Sequence, residues 1–275
     1  MRRFEDALGK PSPIEDDLFY LLDKNAPLTI FDIGSCDGLD SLRYKKQFPK
    51  ATIYAFEPVP ANYQMIQDNF KMYGNEDLHS FPIALSNKVG KATLHLSSIH
   101  TQNSTEPSPE HGNKSSSLLK PGKILSIYSS FKFDQTVEAD SDTLDHFCEQ
   151  HHIDHIDLIH LDVQGAELMV LEGAKGILKQ IHCIWLEVEN VSLYQDQPLR
   201  NKIQTFMKSH NFILIRYDHR YYSGDQFYVN RKFIEKTKEA RILKKLLRKE
   251  FFIKISIPFA GMRRIAKKIV AKFLR

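Results

Sequence analysis

The residues with chemical potential in this chain gather where short apolar runs stop. The first group lies in T-I-F-D-I-G-S-C-D-G, Thr29 to Gly38. Ile30-Phe31 reads as the end of a buried strand, and Asp32-Ile33-Gly34 breaks it into a turn that reaches a second glycine at Gly38. Glycine suits a backbone that must take positive φ or pass close beneath a ligand. An acid followed by two spaced glycines is a nucleotide-type loop, but Cys36 takes the middle position, so this is not the G-x-G-x-x-G dinucleotide fingerprint. Asp32, Asp37 and Asp40 crowd the loop with negative charge, whereas a phosphate site favours a positive lining. A cationic nucleoside fits better: S-adenosylmethionine carries a sulfonium and an α-amino group. An NAD-dependent enzyme is the alternative that this loop disfavours, and a non-catalytic nucleoside-binding protein is the other.

Three more groups share this placement. Glu57 ends the run T-I-Y-A-F, where a carboxylate can accept hydrogen bonds from both ribose hydroxyls, and Pro58 restricts the backbone behind it. Ala84, Leu85 and Ser86 close a third run and could face an adenine edge. His160 and Asp162, two apart, project to one face of a fourth run. A histidine beside a carboxylate is a candidate general base for a hydroxyl, and a buried structural histidine is the plainer reading. Glu187 and Glu189 end a fifth run. Asp162, Glu187 and Glu189 could share Mg²⁺ through hard oxygen ligands, although nothing in their spacing demands a cation cage; no metal is the favoured expectation.

These groups need strands whose carboxyl ends share one edge. The pattern predicts a helix over Ile14–Lys24, strands at Leu28–Ile33, Ala51–Phe56 and Leu78–Leu85, and helices at Leu39–Phe48 and Ala61–Met72. That β-α-β-α-β order argues for an α/β parallel sheet with helices on both faces. Lys91–Leu96 and Asp134–Ala139 alternate as a β-hairpin. The 37 residues from Ser97 to Phe133 between them are rich in Ser, Pro, Asn and His and read as a mobile lid insertion. Ser141 or Asp142 is expected to cap a helix that ends near His151. Strands at Ile156–Leu161 and His182–Val188 follow, with helices at Leu168–Lys179 and Leu199–His210. Phe212–Tyr217 and Gln226–Asn230 then form an antiparallel pair at the sheet edge.

The 275 residues suffice for one generous domain with appendages. Three scattered cysteines, Cys36, Cys148 and Cys183, suit a reducing compartment and form neither a disulfide framework nor a zinc pattern. The N-terminus shows no signal-like apolar region and no run approaches a bilayer span, so a cytoplasmic location is expected. Net charge is +4, but residues 231–275 carry +13 and the remainder −9.

Together F-D-I-G-S-C-D-G, A-F-E-P-V-P-A-N, I-A-L-S-N-K-V-G, S-S-S-L, Thr143-Leu144-Asp145 and I-D-L-I-H-L-D-V-Q-G-A-E-L-M-V-L-E-G resemble the FkbM-type S-adenosylmethionine-dependent methyltransferases, over about residues 28–230. The resemblance implies the class I methyltransferase (Rossmann-like) fold, a seven-stranded mostly parallel sheet with an antiparallel last strand. It also implies O-methylation of sugar or natural-product hydroxyls, so the expected partner is a small-molecule or glycan substrate. Asp32, Gly34 and Gly38 would line the cofactor's methionine side, and Glu57 would hold its ribose. His160 and Gln164 stand where the family commonly has lysine and glutamate. The expected reaction is an in-line displacement by a hydroxyl that Asp162 orients or deprotonates with His160 or a neighbouring glutamate.

The expected domains are a lead-in over 1–27, the methyltransferase over 28–230 with its lid at about 97–133, and a basic tail over 231–275. In the tail Phe259, Met262, Ile265, Ile269 and Phe273 recur every three or four residues, with Arg263, Arg264, Lys267, Lys268 and Lys272 on other faces. A basic amphipathic helix of this kind suits an anionic membrane surface, at about 1 kcal/mol per basic residue near the headgroups. That would place the protein peripherally on the inner face of a membrane. Nucleic acid is disfavoured, because a phosphate-tracking arm needs no apolar stripe. Packing on the body or on a second subunit, as a homodimer, is the third reading.

Overall fold

The computed structural model describes residues 2–74, 76–99 and 113–234. Its main sheet has seven strands in the order β3-β2-β1-β7-β8-β10-β9. In chain order β1 is Thr29–Ile33, β2 Thr52–Phe56 and β3 Leu78–Phe81; β4, Ile83–Ser86, β5, Gly90–Ile99, and β6, Phe131–Thr143, belong elsewhere. The main sheet resumes with β7, Ile156–Leu161, β8, Ile181–Glu189, β9, Phe212–His219, and β10, Ser223–Asn230. Strands β1, β2, β3, β7 and β8 run parallel, and β10 pairs antiparallel with both β8 and β9. The order reverses between β1 and β7, and in open α/β sheets that switch point, at the carboxyl ends, is where ligands sit.

Alternation along β1 shows how the sheet is sandwiched. Phe31 and Ile33 enter a buried cluster with Phe147, Leu168 and Met207, from three different helices. Asp32 lies on the opposite side, in a cross-strand row Ala55, Asp32, His160, Trp185, Phe227. There the His160 ring stacks on Trp185, 4.5 Å between centroids, and meets Tyr44 of the helix Leu39–Gln47 edge-on at 5.9 Å.

Several expectations are corrected. The single strand expected over Leu78–Leu85 is two, because Pro82 lacks the N–H that would continue the ladder. β3 stays in the main sheet, and β4 pairs parallel with β6 in a three-stranded sheet, β4-β6-β5. Neither Ser141 nor Asp142 is the cap before Leu144–Gln150; both lie in β6, and Thr143 accepts from the His146 N–H at 3.1 Å. The helix expected over Leu168–Lys179 stops at Glu172 and resumes as a 3₁₀ turn at Ile177–Gln180. At Gly173 a Cβ would run into the Ser86 carbonyl, so the chain passes too close to β4 for a side chain.

The hairpin exists, with strands longer than expected. Within the insertion, residues 100–112 lie outside the described residues. The part that follows is tied down. Ser117 exchanges both backbone hydrogen bonds with His95 (2.8 and 3.1 Å), and the N–H groups of Gly122 and Ile124 donate to the Leu193 carbonyl, each at 3.0 Å. The basic segment from residue 235 onward, including the amphipathic stripe, also lies outside the described residues. Among the described residues no helix is long and apolar enough to cross a membrane.

Candidate active site

The loop after β1 and the tip of β2 are built together. The N–H groups of Gly34 and Ser35 donate to the Phe56 carbonyl at 2.9 and 3.1 Å, which folds the loop over β2. Gly34 has φ +84°, and a Cβ there would overlap the Asp162 carbonyl, so the chain crossing between β1 and β7 admits only glycine. Gly38 is the N-cap of the helix Leu39–Gln47.

Glu57 is the centre of this corner. Its Oε2 accepts from the Cys36 N–H and its Oε1 from the Val59 N–H, both at 2.9 Å. Burial pushes its carboxyl up to about 7, against the pull of those two N–H groups. The Asn62 side chain is a third hydrogen-bond partner of this carboxylate, which leaves capacity for a ligand hydroxyl. Burial also raises the Cys36 thiol to about 12, so it stays neutral and is no nucleophile.

An open cleft runs along this edge. Of the residues picked out from sequence, Gly34, Cys36, Glu57, Pro58, Ala84, Leu85 and Asp162 line it. Asp32, Gly38, Ser86, His160, Glu187 and Glu189 are not in its wall. For Asp32 the reason is strand register: it sits within β1, where its carboxylate accepts from Ser35 and Ser41 and faces His160. Ser86 is spent on Ser141, its hydroxyl 2.8 Å from that of Ser141.

The second half of the site is acidic. Gln164 has φ +54°, and its amide Nε2 donates both to Asp162 Oδ1 (2.7 Å) and to Glu187 Oε2 (3.1 Å). The amide thus bridges the two carboxylates that a shared cation would have to join. Among the described residues no group of three or more His, Cys, Asp or Glu side chains is placed to hold a metal. Burial, then the charges of Asp162 and Glu189, raises Glu187 well above the usual carboxylate range; burial, then Glu167 and Asp162, does the same to Glu189. Glu167 is 2% exposed and accepts from the N–H groups of Val163 and Gly165, each at 3.1 Å, which shapes the turn carrying Gln164. Burial first, with Asp162's charge adding, lifts it to about 7.

Other contributors came from outside the residues singled out. Lys114, Ser116, Ser117 and Leu118 of the insertion line the cleft. Lys114 reaches Asp37 at 3.6 Å, and the Ser117 hydroxyl donates to the Gln164 carbonyl at 2.8 Å. Tyr194 donates to the Ser115 carbonyl at 2.6 Å, with Gln164 Oε1 3.4 Å away. The only sequence signal for these contacts was the S-S-S-L motif.

A switch-point cleft with a glycine crossing, a buried acid at the tip of β2 and an antiparallel strand inserted next to the sheet edge are the marks of the Rossmann-like methyltransferase fold. The FkbM methyltransferase domain model matches residues 32–214, and the chain belongs to that family. It is 31% identical over 204 residues to the 2-O-methyltransferase NoeI of Sinorhizobium fredii, covering 73% of this chain and 80% of the relative. It is also 31% identical over 212 residues to the methyltransferase sdnD of Sordaria araneosa, covering 72% and 78%. Among solved structures, M. capricolum TrmK in complex with S-adenosyl-homocysteine aligns over 95% of each chain at 12% identity and a TM-score of 0.42. The family match and these relatives make the protein a methyltransferase.

Proposed function

We propose that the protein transfers the methyl group of S-adenosylmethionine to a hydroxyl of a sugar or glycan precursor. The observation carrying this reading is that Glu57 and Asp162 share one cleft: a buried acid suited to ribose hydroxyls and an acid suited to an acceptor hydroxyl. The name of the NoeI relative, a 2-O-methyltransferase, supports oxygen as the acceptor atom.

The cleft suits the cofactor: the Glu57 carboxylate lines it with lone-pair capacity left for a ribose hydroxyl, and Ala84 and Leu85 offer an apolar wall. When bound, S-adenosylmethionine supplies an electrophilic methyl group. Asp162 accepts a hydrogen bond from the acceptor hydroxyl and takes its proton as the oxygen becomes an ether. Gln164 holds Asp162 and Glu187 in one arrangement, and burial with the neighbours' charge keeps Glu187 and Glu189 behind it well above the usual carboxylate range. Most of the rate comes from this positioning. No divalent cation is required, because Gln164 already joins the acids. His160 acts from behind, as a positioning residue through Asp32.

Residues 28–230 form the transferase in this reading. The +13 charge of 231–275 supports placing it on an anionic membrane surface that presents the glycan. The test is transfer of labelled methyl from S-adenosylmethionine to cell glycan extracts. A base-stable methyl ether that drops about a hundredfold or more with Asp162→Asn supports the assignment; label on nitrogen, or an undiminished rate in that variant, overturns it.

A further inference from the structure

A group of aromatic side chains with no part in the cofactor corner lies at the same edge of the sheet as the acids. Tyr221 is 82% exposed, on the turn between β9 and β10, and its ring meets that of Tyr222 edge-on at 4.6 Å. Tyr222 lies 6.3 Å from Tyr128 of the insertion, which in turn lies 5.7 Å from Phe131.

Two connections set the place of this patch. On one side, Ser223 pairs with Glu189 across β10 and β8, and the Asn190 N–H donates to the Tyr222 carbonyl at 2.7 Å. The rings therefore follow directly on the strand end that carries Glu189. On the other side, the turn Ile124–Ile127 that bears up Tyr128 is fastened to Leu193, next to Tyr194 and hence to the Gln164 bridge. Asn190 pins the turn further, its amide donating to the Arg220 and Ser223 carbonyls, both at 3.2 Å. The platform is thus held to the acids by backbone hydrogen bonds.

We infer that Tyr128, Tyr221 and Tyr222 form an acceptor-binding platform that stacks the C–H face of a pyranose ring while the neighbouring Glu187 receives one of its hydroxyls. This rests on the hydroxyl-methylation reading above. The electron-rich face of an aromatic ring attracts the polarised C–H groups on one side of a sugar. Glu187, partly exposed at the same strand end, can take an equatorial hydroxyl that a purely apolar patch would leave unpaired. Neither component alone selects a sugar: rings without acids suit any apolar face, and acids without rings suit any amine. Side by side they match a polyol with one apolar face.

The experiment uses the full chain and saturation-transfer NMR with a set of methyl pyranosides of gluco, galacto, manno and fuco configuration, with S-adenosyl-homocysteine present. Calorimetry with S-adenosyl-homocysteine runs in parallel. Saturation of the wild-type protein should reach the ring C–H protons of at least one glycoside. The double variant Tyr221→Ala/Tyr222→Ala should lose at least fivefold of that signal with unchanged nucleoside affinity and melting temperature. Tyr128→Ala, on the other segment, should weaken it in the same way. Glycoside signal that survives in both variants, or that is absent from a wild type that binds the nucleoside, overturns the platform. Failure of the wild type to bind the nucleoside would instead strike the cofactor assignment, and the two failures are read on separate instruments.

Discussion

Asp32 and His160 stand opposite one another across β1 and β7, Nδ1 3.3 Å from Oδ1, behind the cleft, with the Asp32 side chain 2% and the His160 side chain 13% exposed. Burial works against the imidazolium, but Asp32, with Asp40 and Asp162 adding, overcomes it and raises His160 to about 9. Burial likewise opposes the Asp32 carboxylate, and His160, Ser41 and Ser35 outweigh it, so its pKa is lowered. The pair is therefore a charged strut in the middle of the sheet, stacked on Trp185.

A pH dependence of stability follows. His160 has its folded-state pKa above the unfolded value of 6.5, so its contribution is full below pH 6.5 and is lost as pH rises through about 9. The melting temperature should fall across that window. Asp32→Asn removes the counter-charge and should flatten the fall, at a cost in overall stability of about 3 kcal/mol, the usual penalty for breaking a buried pair. Differential scanning fluorimetry from pH 6 to 10 reads both.

Glu57 gives a second window with a different readout. Its folded-state value of about 7 exceeds the unfolded 4.5, so the stability it contributes is full below pH 4.5 and is lost as pH rises through 7. Ligand hydroxyls donate to the ionised form, so nucleoside affinity should run the opposite way, tightening up to about pH 7 and then levelling. Glu57→Gln should lose affinity by about tenfold to a hundredfold, in keeping with one or two charge-assisted hydrogen bonds, and its affinity should no longer vary with pH.

Gln164→Glu tests the amide bridge. A third carboxylate would replace the donor between Asp162 and Glu187, which leaves like charges in contact. The variant should melt several degrees below the wild type at pH 8, and Mg²⁺ at millimolar levels should restore part of the difference while leaving the wild type unmoved, because three oxygens then converge where two were joined by an N–H. Equal melting temperatures with and without Mg²⁺ in the variant would contradict the bridge geometry.

Gly34→Ala should be among the most damaging single changes. It combines a φ of +84° with overlap against the Asp162 carbonyl, so the crossing of β1 and β7 must open. A loss of about 3 kcal/mol or more is expected in urea denaturation, together with loss of nucleoside binding.

The course of the main sheet was readable from the sequence because apolar runs of strand length alternated with helical spacing. The acid at the tip of β2 was readable because a strand end fixes where a side chain goes. Asp32 looked the same by that logic, yet it lies within the strand, and the residues that engage it, Ser41 and His160, are set by register, which the local pattern does not encode. The single strand expected over Leu78–Leu85 should have been divided at Pro82, whose missing N–H is a local signal. The contacts of Gln164 with Ser117 and Tyr194 join segments 47 and 30 residues apart. They depend on how the insertion folds back, and a Ser-rich stretch carries no periodicity that reveals it.

The central claim is that the nucleoside of the methyl donor sits in the cleft between the Gly34 loop and Glu57. Isothermal calorimetry with S-adenosyl-homocysteine on the wild type, Glu57→Ala and Asp162→Asn tests it most directly. Binding by the wild type with one site per chain, retained in Asp162→Asn and lost or weakened at least tenfold in Glu57→Ala, is the predicted result. Absence of binding by the wild type, or equal affinity in Glu57→Ala, would contradict it.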